Sequence, residues 1–207
     1  LKMKLKVCGM RLTENIEALA ALTPDYMGFI FWAPSSRFVD GPTPSLSKNI
    51  KKTGVFVDAS IDYIETIIKE HQLQAVQLHG KEAPEYCSYV QSLEVEVIKA
   101  FSIKDQFDFK ILAPYESSCD FYLFDTKGDL PGGNGYGFDW QLLKEYPSQK
   151  PFFLSGGIGL KNIKAIRELE KIKLPLYAID VNSAFESTPG VKKIDELTQF
   201  KNELYEL

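Results

Sequence analysis

Two side chains that can transfer a proton stand at the ends of apolar runs far apart in the chain. Cys8 ends the run in KVCGM, and Asp125 directly follows the run YLF. A thiolate can act as a base, and a partly desolvated carboxyl favours its protonated form and can act as an acid. The plainer readings are a cysteine packed in a core and an aspartate that caps a turn. Position alone does not decide between them.

Two neighbouring loops carry groups that could bind an anion. In LSGGIGLKNI, Gly156 and Gly157 stand between a predicted strand and a predicted helix, where backbone N–H groups and the helix N-terminus attract negative charge. Asn182 and Ser183 follow the next apolar run, in AIDVNSAFES. Either loop alone could be a tight turn with a capping serine, but the two together favour a phosphate site.

Arg37 in APSSRFVD and His79 in QLHG are further candidates for a site. A guanidinium can hold a carboxylate through two hydrogen bonds, although a solvated loop arginine is the commoner case. A histidine in this position could line a ligand, or it could be a core residue with satisfied hydrogen bonds. Without further context, a solvated loop arginine is the favoured interpretation of Arg37. For His79, a residue with satisfied hydrogen bonds and no ligand is at least as good an interpretation as a binding residue.

Composition and charge argue against several classes of protein. The 207 residues carry a net charge of −4, whereas a nucleic-acid-binding surface normally shows a basic surplus. No apolar run approaches the ~18–20 residues of a membrane span, and the start has no apolar core of signal-peptide length, so we expect no membrane partner and a cytoplasmic location. The three cysteines and two histidines match neither a disulfide framework nor a zinc pattern, so we expect no metal.

Apolar runs alternate with helical patterns along the whole chain. Most runs are continuous, as in strands that are buried on both faces of a parallel sheet. Eight strands and about eight helices predict a (β/α)8 TIM barrel that forms a single domain over residues 1–207. An open doubly wound sheet is the alternative, and the even spacing favours the barrel. The predicted strands are residues 5–8, 26–31, 54–57, 75–78, 96–100, 121–124, 152–154 and 177–179.

Helices are predicted between these strands and at the C-terminus. The segment that begins near residue 12 has helical spacing, with Thr13 as a possible N-cap. A weaker pattern lies at residues 43–52, where Pro42 and Pro44 allow only a short helix to start. The remaining predicted helices cover residues 61–68, 83–91, 104–112, 138–145, 162–172 and 194–204.

A barrel of this kind carries its active site at the C-terminal ends of its strands and in the loops that follow. The candidate residues above all follow predicted strands, so we expect them to meet at that end. The stretch KGDLPGGNGYGFDW, residues 127–140, follows the sixth predicted strand and contains five glycines. Its composition is typical of a flexible lid that closes over a substrate.

These motifs, in this order, resemble the phosphoribosylanthranilate isomerase family over essentially the whole chain. The most specific are the cysteine after the first strand, QLHG, FDT followed by the glycine-rich loop ending in FDW, and PGVKK near the C-terminus. The resemblance implies an Amadori rearrangement of N-(5-phosphoribosyl)anthranilate to 1-(2-carboxyphenylamino)-1-deoxyribulose 5-phosphate in tryptophan biosynthesis. It also implies that Asp125 is the general acid and Cys8 the general base.

The resemblance extends to the binding residues. It implies that Arg37 binds the anthranilate carboxylate of a small phosphosugar substrate. Gly156, Gly157 and Ser183 match the phosphate-binding positions, and we expect Asn182, through its backbone N–H and side-chain amide, and His79, which lines the site, to be substrate-binding residues as well. The iminium formed on ring opening serves as the electron sink, so no cofactor is expected, and barrels of this type are monomers or homodimers.

The chain departs from the family pattern in two loops. Asn182 and Ala184 stand where the family usually has serine and glycine, and Ala184 would be strained if that position needed a positive φ. The lid reads Gly132-Gly-Asn-Gly135, where Thr or Ser is common in place of asparagine. We expect these changes to affect phosphate binding and the lid, and not the chemistry.

Other functions on a barrel remain as alternatives. A ribulose-phosphate 3-epimerase uses paired aspartates with metal-binding histidines, and this chain has too few histidines at strand ends. An indole-glycerol-phosphate synthase relies on lysine and glutamate at strand ends, and neither follows the first strand here. A non-catalytic phosphosugar-binding barrel would keep the diglycine loop but would have no use for both Cys8 and Asp125.

Overall fold

The centre of the molecule is a closed barrel of eight parallel strands, β1 to β8, hydrogen-bonded in sequence order. It is seen in a computed structural model that describes residues 3–103, 106–126 and 140–206. The fold class predicted from the sequence is therefore confirmed. The strands are Lys4–Val7, Tyr26–Ile30, Lys51–Phe56, Ala75–Leu78, Glu96–Ile103, Phe121–Thr126, Phe152–Ser155 and Leu176–Val181.

Five α-helices lie among the described residues: α1 Thr13–Ala21, α2 Ile61–His71, α3 Pro84–Gln91, α4 Ile163–Glu170 and α5 Ile194–Tyr205. They cover the barrel, and their apolar faces form one large core with the outward-facing strand residues. None of the helices in the described ranges is long and apolar enough to cross a membrane.

Several predicted helices are wrong or are a different kind of helix. Residues 43–50 form no helix, and Lys51 already begins β3, because two prolines leave too short a segment. Two other segments are 3-10 helices, Phe109–Tyr115 with Pro114 inside it and Trp140–Glu145. Thr13 is the first residue of α1 and not its N-cap.

Alternation along the strands determines which side chains face the inside of the barrel. An inner cluster of buried apolar residues includes Ala75, Leu123 and Ala178. Because side chains two residues apart share one face of a strand, Gln77, Asp125 and Asp180 also face inward, nearer the C-terminal ends. Polar groups therefore occupy the upper layer of the barrel, and apolar groups fill the layer below it.

A short antiparallel hairpin follows the last barrel strand, and it was not predicted. It consists of β9 Glu186–Thr188 and β10 Val191–Lys192. Gly190 lies between them at a φ of +86°. A hydrogen bond of 2.7 Å from the backbone N–H of Lys193 to the carbonyl of Phe185 joins its two ends. The hairpin places its side chains over the C-terminal end of β1.

At the opposite end of the barrel, the carboxylate of Asp25 connects three elements of the fold. Its Oδ1 accepts a hydrogen bond of 2.7 Å from Lys4 Nζ, and its Oδ2 accepts bonds from the Leu5 N–H at 2.9 Å and the Tyr205 hydroxyl at 2.8 Å. Burial by itself would raise the pKa of Asp25, but these donors outweigh it and hold the pKa below its ordinary value. Asp25 thus ties β1 and the last helix to the start of β2.

We expect Asp25→Asn to lower the free energy of unfolding at pH 7 by about 1–3 kcal/mol, because an amide cannot accept all three bonds as a carboxylate does. The contribution of a carboxyl with a lowered pKa is complete above its unfolded value and is lost as the pH falls through its folded value. The difference between the two proteins in urea unfolding should therefore shrink below about pH 4.

The matched control is Asp40→Asn, since the Asp40 carboxylate is 72% exposed and lies 4.0 Å from Arg11 Nη2. That variant should unfold at nearly the same urea concentration as the unaltered chain. Equal losses from the two substitutions would contradict the role given to Asp25.

Candidate active site

Cys8 follows β1 directly and is only 5% exposed. The neighbouring strand leaves room for its sulfur, because a Cβ added to Gly28 would lie 2.8 Å from Cys8 Sγ. Burial raises the pKa of the Cys8 thiol, whereas the ammonium groups of Lys6 and Lys192 act to lower it. Burial has the larger effect, so the thiol form is favoured in the unliganded site.

Asp125 and His79 face each other at the ends of β6 and β4. Asp125 is 5% exposed, and its Oδ2 lies 3.5 Å from His79 Nε2. On its other side, His79 Nδ1 lies 2.7 Å from Gln77 Nε2. The Gln77 oxygen accepts a bond from Lys6, which can only donate, so its amide nitrogen donates to His79 Nδ1. The proton of the neutral imidazole is therefore on Nε2, toward Asp125.

Lys6 lies inside the barrel with no exposed surface. Its Nζ donates a hydrogen bond of 2.8 Å to Gln77 Oε1 and one of 2.9 Å to Asp180 Oδ2. Within the described residues, the other oxygen of Asp180 is buried and has no hydrogen-bond partner. The ion pair joins β1 to β8, and the bond to Gln77 joins β1 to β4.

A second cluster of charges lies over Cys8 in the hairpin and the loop after β2. Arg37 donates to Glu186 from two nitrogens, with Nε 2.9 Å from Oε1 and Nη2 2.5 Å from Oε2. Lys192, also without exposed side-chain surface, donates to Glu186 Oε1 at 2.5 Å and to Asn182 Oδ1 at 2.8 Å. Burial opposes the charge of Glu186, but hydrogen bonds from Arg37 and Lys192 lower its pKa to about 2.

Gly9 packs this cluster against Cys8. It has a φ of +76°, and a Cβ added to it would lie 2.6 Å from Asn182 Oδ1 and 2.7 Å from Arg37 Cδ. Only glycine fits this conformation and this space. Arg37 and Asn182 therefore pack against the backbone of Gly9, directly after Cys8.

The loops after β7 and β8 adjoin each other. Gly156 and Gly157 have φ values of +113° and +65°, and Gly157 faces open space. A Cβ added to Gly159 would lie 3.2 Å from the Cβ of Ala184, which belongs to the 3-10 helix Ser183–Phe185. Ala184 is helical, so the backbone strain considered from the sequence does not arise there.

The expected site residues thus form three neighbouring groups, at the ends of β1 and β8, of β4 and β6, and in the loops after β7 and β8. The predicted lid falls largely on residues 127–139, which lie outside the described residues. The part of the chain that is described holds no cluster of three or more metal-binding His, Cys, Asp or Glu side chains.

A surface cavity of about 530 Å³ lies elsewhere, between the residues after Arg37 and helix α2. Its lining includes Asp40, Tyr63, Glu70 and His71, and neither Cys8 nor Asp125 belongs to it. This cavity is therefore separate from the residues that can transfer protons.

Four polar side chains of the site were missed in the sequence: Lys6, Gln77, Glu186 and Lys192. Two of them carried a usable signal, because Lys6 and Gln77 lie two residues before Cys8 and His79 and so share their faces of the strands. Glu186 and Lys192 meet through a hairpin, and their pairing had no such signal.

An eight-stranded α/β barrel with a thiol, a carboxyl and several cations at the C-terminal ends of its strands belongs to the class of barrel enzymes that act on small anions. The family model for N-(5'-phosphoribosyl)anthranilate (PRA) isomerase matches residues 5–203. The chain therefore belongs to the N-(5'-phosphoribosyl)anthranilate isomerase family.

Curated relatives and solved structures agree with this assignment. The chain is 43% identical over 205 residues to the N-(5'-phosphoribosyl)anthranilate isomerase of Parabacteroides distasonis, covering 96% of this chain and 91% of the relative. The counterpart in Phocaeicola vulgatus is 38% identical, with 98% of both chains covered. Phosphoribosyl anthranilate isomerase from Thermotoga maritima superposes with a TM-score of 0.83 at 28% identity, covering 99% of this chain and 100% of that one.

We expect Glu186→Gln to remove part of the acid sensitivity of the fold. A carboxyl whose pKa falls from 4.5 to about 2 contributes stability that is complete above pH 4.5 and is lost as the pH falls toward 2. The variant should be less stable at pH 7, and its urea midpoint should change less than that of the unaltered chain below pH 4.5. Parallel pH curves for the two proteins would show that Glu186 does not carry this effect.

Proposed function

We propose that this chain catalyses the family reaction, the isomerisation of N-(5-phosphoribosyl)anthranilate to 1-(2-carboxyphenylamino)-1-deoxyribulose 5-phosphate. The observation that supports it most is the placement of a buried thiol and a buried carboxyl, Cys8 and Asp125, at the same end of one barrel. The reaction needs one acid and one base that reach the same sugar, and these two residues are suited to those roles.

Asp125 acts first, as the general acid. It donates its proton to the ribose ring oxygen, the bond from that oxygen to C1 breaks, and the nitrogen lone pair forms an iminium at C1. His79 holds the carboxyl from the side, because its Nε2–H faces Asp125 Oδ2 at 3.5 Å. Since the iminium accepts the electrons of the next step, the reaction requires no separate electron sink.

Cys8 acts second, as the general base. Its thiolate removes the proton from C2, and the electrons of that bond move into the iminium to give an enolamine, which tautomerises to the ketone. Only the thiolate can accept this proton, and burial works against it. The nearby ammonium groups of Lys6 and Lys192 oppose that cost.

The charges over Cys8 suit the anthranilate carboxylate. Arg37 donates to Glu186 from its Nε and Nη2. Its Nη1 edge can therefore donate hydrogen bonds to a second carboxylate, that of the substrate. The phosphate would occupy the loops after β7 and β8, where Gly156 and Gly157 expose backbone N–H groups. Ser183 and the amide nitrogen of Asn182 lie in the adjoining loop.

Two solved relatives support the proposed substrate and the proposed oligomeric state. One solved phosphoribosyl anthranilate isomerase, with a TM-score of 0.81 and 26% identity over 99% of this chain, was determined with reduced 1-(o-carboxyphenylamino)-1-deoxyribulose 5-phosphate. The Thermotoga maritima enzyme is described as dimeric. For this chain we propose a phosphosugar substrate, a cytoplasmic location and a monomeric or homodimeric state.

The function is tested by following the loss of phosphoribosylanthranilate fluorescence with the purified chain, and by rescue of a tryptophan-auxotrophic strain that lacks this isomerase. We expect activity in both assays. Cys8→Ser and Asp125→Asn should each lower kcat by about 10²–10⁴-fold while product-analogue binding persists, because each removes one proton-transfer group.

The control for the cysteine is Cys87→Ser, which alters a second buried cysteine, on α3 and outside the barrel. It should keep a kcat near that of the unaltered chain. Turnover near the unaltered level in Cys8→Ser or Asp125→Asn would reject the role of that residue, and absence of activity in the unaltered chain would reject the function.

Arg37→Ala should raise the Kd of a product analogue that carries the anthranilate carboxylate by about 10-fold or more, because it removes a charge-assisted pair. Inorganic phosphate, which lacks that carboxylate, should bind about equally to both proteins. Arg11→Ala, which alters an arginine that is 41% exposed, is the matched control. An equal loss of phosphate affinity in Arg37→Ala would show that Arg37 does not select the carboxylate.

A further inference from the structure

Lys6 transfers no proton in the proposed reaction, although it is the residue of β1 nearest to Cys8 on the inner face. The two are two positions apart, so both side chains point into the barrel. The Lys6 ammonium has no exposed surface and pairs with Asp180 Oδ2 at 2.9 Å, and from the same face of β1 its charge acts to lower the pKa of the Cys8 thiol. A buried ion pair needs only one anion, and Lys6 lies beside two acidic groups.

The charges that face Cys8 come from four parts of the fold. Lys6 lies on its own strand, Asp180 on β8 and Lys192 on β10, and Arg37 lies in the loop after β2. Lys192 and Arg37 already share the carboxylate of Glu186. Lys6 is therefore the cation whose positive charge can be neutralised by Asp180, by the Cys8 thiolate, or by both.

Asp180 competes for that cation through one oxygen only, its Oδ2, which lies 2.9 Å from Lys6 Nζ. It is 4% exposed, and in the described part of the chain its Oδ1 is buried without a hydrogen-bond partner. Burial raises the pKa of Asp180, while the charge of Lys6 acts against that effect. Since burial and the unsatisfied oxygen both disfavour the ionised form of Asp180, this carboxyl does not by itself fix the balance of the Lys6 charge, and a neighbouring thiolate can share it.

We propose that Lys6 is a positioning residue of the active site, whose buried ammonium serves as the counterion of the Cys8 thiolate in competition with Asp180. The idea rests on the proposed function, in which Cys8 is the base. The protonation state of Cys8 then depends on Lys6 and Asp180, although neither of them transfers a proton in the proposed reaction. Removing the cation and removing its competing anion should therefore have opposite effects on Cys8.

The test is a titration of the Cys8 thiol in a chain that also carries Cys87→Ala and Cys119→Ala. The rate of alkylation by iodoacetamide, measured against pH by mass spectrometry, reports the thiolate of Cys8 alone. Lys6→Met should move the midpoint to higher pH, by about 1–3 pH units. Asp180→Asn should move it to lower pH, and the ascending limb of kcat/KM should move in the same direction as the thiol in each variant.

Lys99→Met is the matched control for the loss of a buried lysine. Lys99 lies on β5, is 2% exposed and pairs with Glu82 at 3.1 Å. Its loss should lower stability without moving the Cys8 midpoint. A purely structural role for Lys6 would make Lys6→Met behave like this control.

Opposite shifts in the two variants would support the proposal. An unchanged midpoint in either variant, or shifts in the same direction, would overturn it. If Lys6→Met does not fold, the near-isosteric Asp180→Asn decides by itself, since only a lower midpoint agrees with the proposal. The alkylation readout does not need turnover, so an inactive chain or an active Cys8→Ser would reject the proposed function separately.

Discussion

The polar layer inside this barrel depends on the hydrogen bonds and the ion pair made by the buried ammonium of Lys6. It joins β1 to β8 through Asp180 and to β4 through Gln77, so three strands share one charge in a volume closed to water. Such a pair adds little to stability compared with apolar packing, but breaking it by removing one partner costs about 3–5 kcal/mol. A charge of this kind is better explained by what it does to its neighbours, and here the neighbour is Cys8.

From that charge the polar network extends across the mouth of the barrel. Because an ammonium can only donate, Lys6 orients the amide of Gln77, and Gln77 in turn directs the Nε2–H of His79 toward Asp125. The hydrogen bond that His79 directs toward Asp125 thus depends on Lys6, which lies two positions before Cys8. The proposed acid and base belong to one electrostatic unit, although they lie on strands far apart in the chain.

The hairpin after β8 adds a second layer over the same thiol. The carboxylate of Glu186 accepts hydrogen bonds from both Arg37 and Lys192, so neither of these largely buried cations is left uncompensated. The free edge of Arg37 is then presented in a fixed direction. The Glu186 carboxylate of the protein itself therefore orients this guanidinium.

The sequence by itself determined the barrel, because continuous apolar runs at even spacing allow few other parallel folds, and it located Cys8 and Asp125 at strand ends. It missed the 3-10 helices and the absence of a helix at residues 43–50, since short segments that contain proline have weak periodicity. Only the tertiary structure decided that Arg37 pairs with Glu186 and that Lys6 bonds to both Asp180 and Gln77. The physical reason is that Lys6 and Asp180, like Arg37 and Glu186, are separated by most of the chain, so closure of the barrel and folding of the hairpin over it are needed to bring these charges together.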